Sequence, residues 1–231
     1  MTARVGVLVP STNTIVERDF HRYVSKTASV HTARMLIDAT TADAERRMIE
    51  DHLELAARDL ATVHPDVVAF ACTSAGASLG PDAEEKLVRD VEAVTGAPVV
   101  STNAAVHRAL RRVGASRVAV ITPYLDELTD AVSGGIEGAG FTVAVSAGMS
   151  VVDPFALAEI SPGEIMEFVS ERVASASFDT LFVSCTNLRA IELREPLSDT
   201  WGVPVVTSNQ ATIDGVLDVL KAGAAAPGMP A

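Results

Sequence analysis

The stretch VVAFACTSAGASLG, residues 67–80, decides the fold that this sequence predicts. Its first five residues are all apolar, and such a run is typical of a strand buried on both faces of a parallel sheet. Cys72 follows the strand directly, with Thr73 and Ser74 in a predicted turn, and a helical pattern begins at Pro81. Because ligands of parallel sheets bind beyond the carboxyl ends of the strands, Cys72 is a candidate functional residue.

The surroundings of Cys72 predict a reactive thiol. Taken alone, a cysteine after a buried strand usually serves only as a small apolar side chain. Backbone N–H groups at the start of a helix, however, favour anions, and the same field favours a thiolate over a thiol. We therefore expect the pKa of Cys72 to lie below that of a free cysteine.

The same pattern recurs about half a chain later. The apolar run 180–184 ends in Cys185, Thr186 and Asn187, and the chain has only these two cysteines. Two further pairs of segments match between the halves: RVGVLVP (4–10) with RVAVITP (117–123), and VVSTN (99–103) with VVTSN (205–209). These paired landmarks indicate that the chain consists of two similar halves.

Each half alternates strand and helix patterns, which predicts an α/β protein with two similar doubly wound, four-stranded parallel-sheet domains. We expect a pseudo-twofold axis between them and an active site in the cleft, with the two cysteines on opposite walls. The predicted first domain comprises residues 1–105 and 208–231, because the C-terminal helix can pack back on it. Residues 106–207 form the predicted second domain.

Some predicted boundaries depend on weak signals. We expect a helix from Leu188 to about Thr200, a last helix ending near Leu220, and a loose tail from Ala222 to Ala231 that is rich in Ala, Gly and Pro. Ser161, Pro162 and Glu164 match the start of a capped helix.

Composition excludes several classes of function. A formal net charge of −12 disfavours nucleic acid as a partner. The sequence has no apolar stretch near the ~20 residues needed to span a bilayer, so we expect no membrane partner. The chain enters a strand by Val5 without a secretory leader, and its two cysteines fit a reducing compartment, so we expect a cytoplasmic protein. The oligomeric state stays open, and a homo-oligomer is compatible with the sequence.

Cofactor motifs are missing from the sequence. The five histidines show no metal-ligand spacing, so we expect no metal site. The glycine-containing turns have neither the GxGxxG pattern nor a Walker lysine, which leaves nucleotide binding without support. Neither a metal-dependent nor a nucleotide-dependent function therefore has support in the sequence.

Five segments together resemble the aspartate/glutamate racemase superfamily, within it the branch of maleate cis-trans isomerases and arylmalonate decarboxylases. The matching segments are VPSTNT (9–14), ACTS (71–74), TPY (122–124), SCTN (184–187) and PVVTSN (204–209). The resemblance covers the chain to about Leu220. It implies a cofactor-free and metal-free enzyme that acts on a small carboxylate.

The resemblance also implies roles for individual residues. Cys72 would be the nucleophile or base, and Cys185 its assisting counterpart. Asn13 would hold a substrate carboxylate, and Tyr124 would lie in the loop after the fifth strand. The predicted substrate-binding residues, which can hold carboxylates without neutralising a thiolate, are Ser11, Asn13, Thr73, Ser74, Tyr124, Thr186 and Asn187.

The sequence departs from the maleate isomerase pattern at two places. Asp153 and Pro154 stand where those enzymes carry an asparagine, and the run after Cys185, which contains Arg189, also differs. Decarboxylase members keep only the second cysteine, whereas this chain has both. The presence of Cys72 therefore favours an isomerase or a racemase over a decarboxylase.

Two thiols suit that chemistry. A thiolate that adds to one alkene carbon leaves a single bond that can rotate, and the second thiol can protonate the neighbouring carbon. Racemisation would use the same pair as base and acid on opposite faces of a carbon atom. A malonate-type decarboxylase would need only Cys185, and a two-lobed binding module would need neither. We expect a two-cysteine isomerase for a small dicarboxylate, with the decarboxylase and the amino-acid racemase as alternatives.

Overall fold

The computed structural model describes residues 2–225 and contains two four-stranded, all-parallel sheets. The first has the order β2-β1-β3-β4, and the second repeats it as β6-β5-β7-β8. The strands are β1 (Ala3–Pro10), β2 (Ala28–Met35), β3 (Val67–Phe70), β4 (Val99–Ser101), β5 (Arg117–Thr122), β6 (Thr142–Gly148), β7 (Thr180–Val183) and β8 (Val205–Thr207). This architecture confirms the predicted α/β class with two doubly wound sheets.

Helices connect and flank the strands. They are α1 (Val16–Val24), α2 (Ala42–Ala61), α3 (Thr73–Leu79), α4 (Pro81–Thr95), α5 (Thr102–Arg112), α6 (Asp126–Gly138), α7 (Ala156–Glu159), α8 (Pro162–Val173), α9 (Arg194–Trp201) and α10 (Ser208–Ala225). A 3-10 turn, Ile191–Leu193, precedes α9. At the start of α8, Ser161 and Glu164 form the predicted capping box.

Apolar runs form the middle of each sheet. All residues of β3 and β7 are buried, because each strand lies between two neighbours and has helices on both faces. In the parallel register, Val5 of β1 pairs with Val67 of β3. At the equivalent position of the second sheet, Val118 of β5 pairs with Thr180 of β7. Both cysteine-bearing strands therefore end at the carboxyl edge of a rigid sheet.

The structure corrects two predicted elements. Residues 73–79, predicted as a turn, form α3, which ends at Gly80 with φ +76° before Pro81 starts α4. A glycine adopts this left-handed backbone without a steric cost, so it allows two helices to follow each other. The helix predicted from Leu188 begins only at Arg194.

The last helix extends further than predicted. It continues to Ala225 rather than ending near Leu220, and the rest of the predicted loose tail, residues 226–231, lies outside the described part of the chain. The helix packs against α5 and α1 of the first half, and Arg112 of α5 pairs with Asp218 of α10 at 2.7 Å. Because Arg112 belongs to the predicted second domain, the assignment of this helix to the first domain stays a prediction, as do the domain boundaries.

Within residues 2–225, no helix is long and apolar enough to cross a bilayer. The two longest helices, α2 and α10, carry charged residues along their length.

Candidate active site

The carboxyl ends of β3 and β7 deliver the two cysteines to one cavity. The empty space of this cavity amounts to about 330 Å³. The lining residues are Pro10, Thr12, Asn13, Ile37, Thr40, Glu45, Cys72, Ser74, Tyr124, Pro154, Leu157, Cys185, Thr186 and Asn187. Both halves contribute to this small space, which suits a small substrate.

Cys72 is the N-cap of α3 and is buried. The backbone N–H of Ala75 and the hydroxyl of Ser74 both lie near its sulfur. Ser74 donates its own hydrogen to a carboxylate oxygen of Glu45. The thiol of the first half is therefore linked to a buried carboxyl group through one serine.

Cys185 lies at the equivalent position of the second half but has a different backbone conformation. Its φ of +104° is rare for a residue with a side chain, and such strain persists only where the surroundings hold it. The hydroxyl of Ser208 accepts its backbone N–H at 3.1 Å. The backbone N–H of Asn187 donates to its sulfur at 3.2 Å, and the hydroxyl of Tyr124 contacts the same sulfur.

Burial reverses the predicted pKa of Cys72. It raises the pKa of this thiol well above the ordinary value, because the cavity disfavours a charged sulfur and Glu45 adds repulsion. The prediction of a low pKa is therefore wrong for this structure: desolvation exceeds the effect of the helix start. Burial likewise raises the pKa of Cys185 to about 12.

Five of the predicted substrate-binding residues line the cavity beside the thiols: Asn13, Ser74, Tyr124, Thr186 and Asn187. Tyr124 is buried, and desolvation together with the neighbouring thiols raises the pKa of its phenol well above the ordinary value. Asn13 caps α1 through its Oδ1 and donates through Nδ2 to the Thr186 hydroxyl at 3.0 Å. An amide nitrogen has two hydrogens, so Asn13 keeps one for a ligand.

Asn187 joins three loops around the cavity. Its Oδ1 accepts the backbone N–H of Thr14 at 3.0 Å, and its Nδ2 donates to the carbonyl of Pro154 at 2.9 Å. Thr186 similarly donates to the carbonyl of Ala71 at 3.0 Å. These bonds connect residues far apart in the chain and hold the two cysteine turns together. The departure from the isomerase pattern at Pro154 thus lies in the cavity wall.

Two predicted substrate-binding residues do not line the cavity. The hydroxyl of Ser11 accepts the backbone N–H of Ile37 at 3.1 Å, and the hydroxyl of Thr73 donates to Ser208 at 2.9 Å. Both hydroxyls therefore support the loops that carry lining residues. Their contact with substrate stays a prediction.

Sequence reasoning missed Glu45. It lies in a helix segment with many exposed charges, yet only 2% of Glu45 is exposed. One signal was present in the sequence: Glu45 shares the apolar stripe of α2 with Met48, three residues on. A carboxyl group on the buried face of a helix indicates either a polar partner elsewhere in the fold or a place in a functional site.

The lining of the cavity contains no Lys, Arg or His. Hydroxyls, amides and backbone N–H groups must therefore hold an anionic ligand. Among the described residues, no cluster of three or more His, Cys, Asp or Glu side chains could hold a metal ion. A larger groove, with about 840 Å³ of empty space, lies between α3, α4, α5 and α6, but it contains neither cysteine.

The chain matches the family model described as arylmalonate decarboxylase over residues 5–230. This chain belongs to the arylmalonate decarboxylase family. Maleate isomerases are among its relatives. The Nocardia farcinica enzyme is 28% identical, with 97% of this chain and 93% of that enzyme covered. The Geobacillus stearothermophilus enzyme is 26% identical, with 94% and 92% covered.

Solved structures of this family include one with a covalent intermediate. A cysteine-to-serine variant of the Nocardia farcinica maleate cis-trans isomerase carries a covalently bound succinylcysteine intermediate. This chain superposes on it with a TM-score of 0.87 and 26% identity, and the match covers 95% of this chain and 93% of that one. The predicted superfamily branch is confirmed.

Proposed function

We propose that this protein is a cofactor-independent, maleate-type cis-trans isomerase that uses Cys72 and Cys185 on one small dicarboxylate. The observation that carries the proposal is the delivery of both buried thiols to one cavity by equivalent strand ends. The relatedness to maleate isomerases supports the reaction class. A single-thiol reaction would leave the placement of Cys72 without a use.

In the proposed reaction, the thiolate form of Cys72, which the raised pKa of this thiol makes a minor form at neutral pH, adds to one alkene carbon of the substrate. A carbon–sulfur bond forms, the double bond becomes single, and the neighbouring carbon takes a proton from the Cys185 thiol. After rotation about the new single bond, Cys185 takes a proton back from that carbon and the carbon–sulfur bond breaks. Cys72 is thereby restored, and no electrons are gained or lost overall.

The intermediate in the related enzyme fits this sequence of bonds. A succinyl group on sulfur is what remains when a thiolate adds to maleate and the adjacent carbon is protonated. In this chain, Tyr124 contacts Cys185 and lowers the cost of charge on that sulfur after it has given its proton. The free amide hydrogen of Asn13 is placed to hold a substrate carboxylate, and Thr186, whose hydroxyl accepts the other amide hydrogen, fixes the orientation of that amide.

We also propose a cytoplasmic location for the enzyme. Both cysteines are free thiols, and the proposed reaction requires them in the reduced state, which a reducing compartment maintains.

A second candidate function is decarboxylation of a malonate-type acid. The description of the matching family favours it, and Cys185 alone could protonate the resulting enediolate. The presence of a thiol at position 72 in the same cavity favours the isomerase.

One experiment separates the two functions. The protein is incubated in D₂O with maleate, and in parallel with phenylmalonate, and both reactions are followed by proton NMR. We expect fumarate to form from maleate and phenylmalonate to persist. Loss of carbon dioxide from phenylmalonate without fumarate formation would instead establish the decarboxylase. The control is the variant with both cysteines replaced by serine, which should leave both compounds unchanged.

A further inference from the structure

Glu45 is the one side chain of the cavity wall with an ionisable carboxyl group and an unused polar atom. Its Oε1 accepts the Ser74 hydroxyl. Its Oε2 is buried and has no hydrogen-bond partner among the described residues. A buried oxygen without a partner is costly, and its presence calls for an explanation.

The surroundings of Glu45 favour its neutral form. Burial raises the pKa of this carboxyl to about 8, and the negative charge of Glu127 on α6 adds to the effect. The other ionisable groups around the cavity are Cys72, Cys185 and Tyr124, and the pKa of each is raised above its ordinary value. At neutral pH, therefore, Glu45 is mainly a carboxylic acid and its neighbours stay neutral.

Protonation changes what Oε2 can do. A carboxylate only accepts hydrogen bonds, whereas a carboxylic acid has one O–H donor. Ser74 occupies Oε1 as a donor, so the proton belongs on Oε2, the oxygen without a partner. A buried acid kept neutral in an apolar site is a recognised way to supply a hydrogen bond to an anion.

The negative charge of the ligand favours the neutral form of Glu45 over the ionised form. A dicarboxylate brings two negative charges into a cavity whose lining has no Lys, Arg or His. An ionised Glu45 would add a third negative charge and repel it. A neutral Glu45 would offer a hydrogen-bond donor without a charge. It would also not repel the negative charge of a neighbouring thiol when that thiol ionises.

We propose that Glu45 is a further substrate-binding residue, a neutral acid whose Oε2 hydroxyl donates a hydrogen bond to one carboxylate of the substrate. This inference rests on the proposed function for the identity of the ligand as a small dicarboxylate. It predicts that affinity for such a ligand falls as Glu45 loses its proton.

The test measures the binding of succinate by isothermal titration calorimetry from about pH 6.5 to about pH 9. Succinate has no double bond, so it reports carboxylate binding without turnover. For the wild type, we expect constant affinity up to about pH 7.5 and then a loss that approaches tenfold per pH unit above the pKa of Glu45. The Glu45→Gln variant keeps a donor and an acceptor, so its affinity should stay constant over the same range.

The control is Glu54→Gln on the exposed side of the same helix, which pairs with Arg58 and should reproduce the wild-type profile. The proposal is overturned if the wild type binds succinate equally at all pH values, if it does not bind succinate at all, or if Glu45→Gln shows the wild-type alkaline loss. The wild-type profile alone is decisive should Glu45→Gln fail to fold. Failure of the isomerase proposal appears separately, as the absence of fumarate from maleate.

Discussion

The two cysteine turns, residues 71–74 and 184–187, present similar donors to sulfur on different backbones. One backbone N–H and one hydroxyl lie near each sulfur, from Ala75 and Ser74 in the first turn and from Asn187 and Tyr124 in the second, and the Asn187 N–H donates to Cys185 at 3.2 Å. Cys72 has an ordinary extended backbone with φ −146° and starts a helix, whereas Cys185 has φ +104° and is followed by a loop.

The difference indicates that the two cysteine turns have different roles. In the first turn, the Ser74 hydroxyl donates to Glu45, whose pKa is about 8. In the second, the hydroxyl belongs to a phenol whose pKa burial raises, and the strained backbone fixes the position of the sulfur. The first turn can therefore respond to pH, and the second holds a proton in a fixed place.

The largest expected effect comes from removing either sulfur. We expect Cys72→Ser to abolish maleate turnover and Cys185→Ser to lower it by about 10²–10⁴-fold, the usual contribution of a general acid or base. The double variant should be little worse than the poorer single one, because residues that act as a unit are not additive. Initial rates of fumarate formation check this, with circular dichroism as the test of folding. A folded Cys72→Ser variant with near-normal turnover would refute the two-thiol mechanism.

The next prediction concerns the free energy of unfolding and its dependence on the protonation of Glu45, which contacts the first turn through Ser74. The pKa of Glu45 is about 8 in the folded protein and 4.5 as its ordinary value, so between these limits the folded state holds a proton that the unfolded state has lost. The stability that this group contributes is present below about pH 4.5 and decreases by as much as about 1.4 kcal/mol per pH unit up to about pH 8.

Urea unfolding of the wild type and of Glu45→Gln at several pH values checks this slope. The difference between the two proteins isolates Glu45 from the other buried carboxyls, Asp19 and Glu84, whose pKa values are also raised by burial. Parallel stability curves for the two proteins between about pH 5 and pH 8 would contradict the assignment.

A smaller effect is expected at the hydroxyl of the second turn. Tyr124→Phe removes the hydroxyl that lies beside the Cys185 sulfur, so we expect kcat for maleate to fall by about 10- to 100-fold, in line with the loss of one hydrogen bond to a charged sulfur in the reaction. Tyr23→Phe is the matched control, since Tyr23 is the other tyrosine of the chain and is 38% exposed. Equal rates for the two variants would show that the phenol has no part in the reaction.

The smallest effect concerns the strained backbone of Cys185. Ser208→Ala leaves the Cys185 N–H without its acceptor, so we expect a loss of about 1–3 kcal/mol in the free energy of unfolding. Ser170→Ala is the control, because the Ser170 hydroxyl only donates to Met166 in its own helix. Thermal unfolding measures both. A Ser208→Ala variant as stable as the control would show that other contacts hold this backbone.

Much of the fold could be predicted because its signals are local. Apolar runs such as 67–71 and 180–184 predicted the buried strands, and the matching motifs predicted that Cys72 and Cys185 would share a site. Local signals also predicted the cap of α8 at Ser161. The short helix α3 was missed because its sequence is rich in small residues, and its ends depend on Gly80 and on packing against α2 and α6.

The sequence by itself determined the two cysteines, their place after buried strands, and the hydroxyl and amide residues that follow them. The tertiary structure alone decided the pKa of the thiols, since the sequence predicted a helix start at Pro81, beyond Cys72, but did not predict that burial would raise the pKa of this thiol. It also decided the role of Glu45, which lies 27 positions before Cys72 in the chain but reaches the same cavity through Ser74. Desolvation and long-range contacts depend on which surfaces the fold brings together, and no local pattern contains that information.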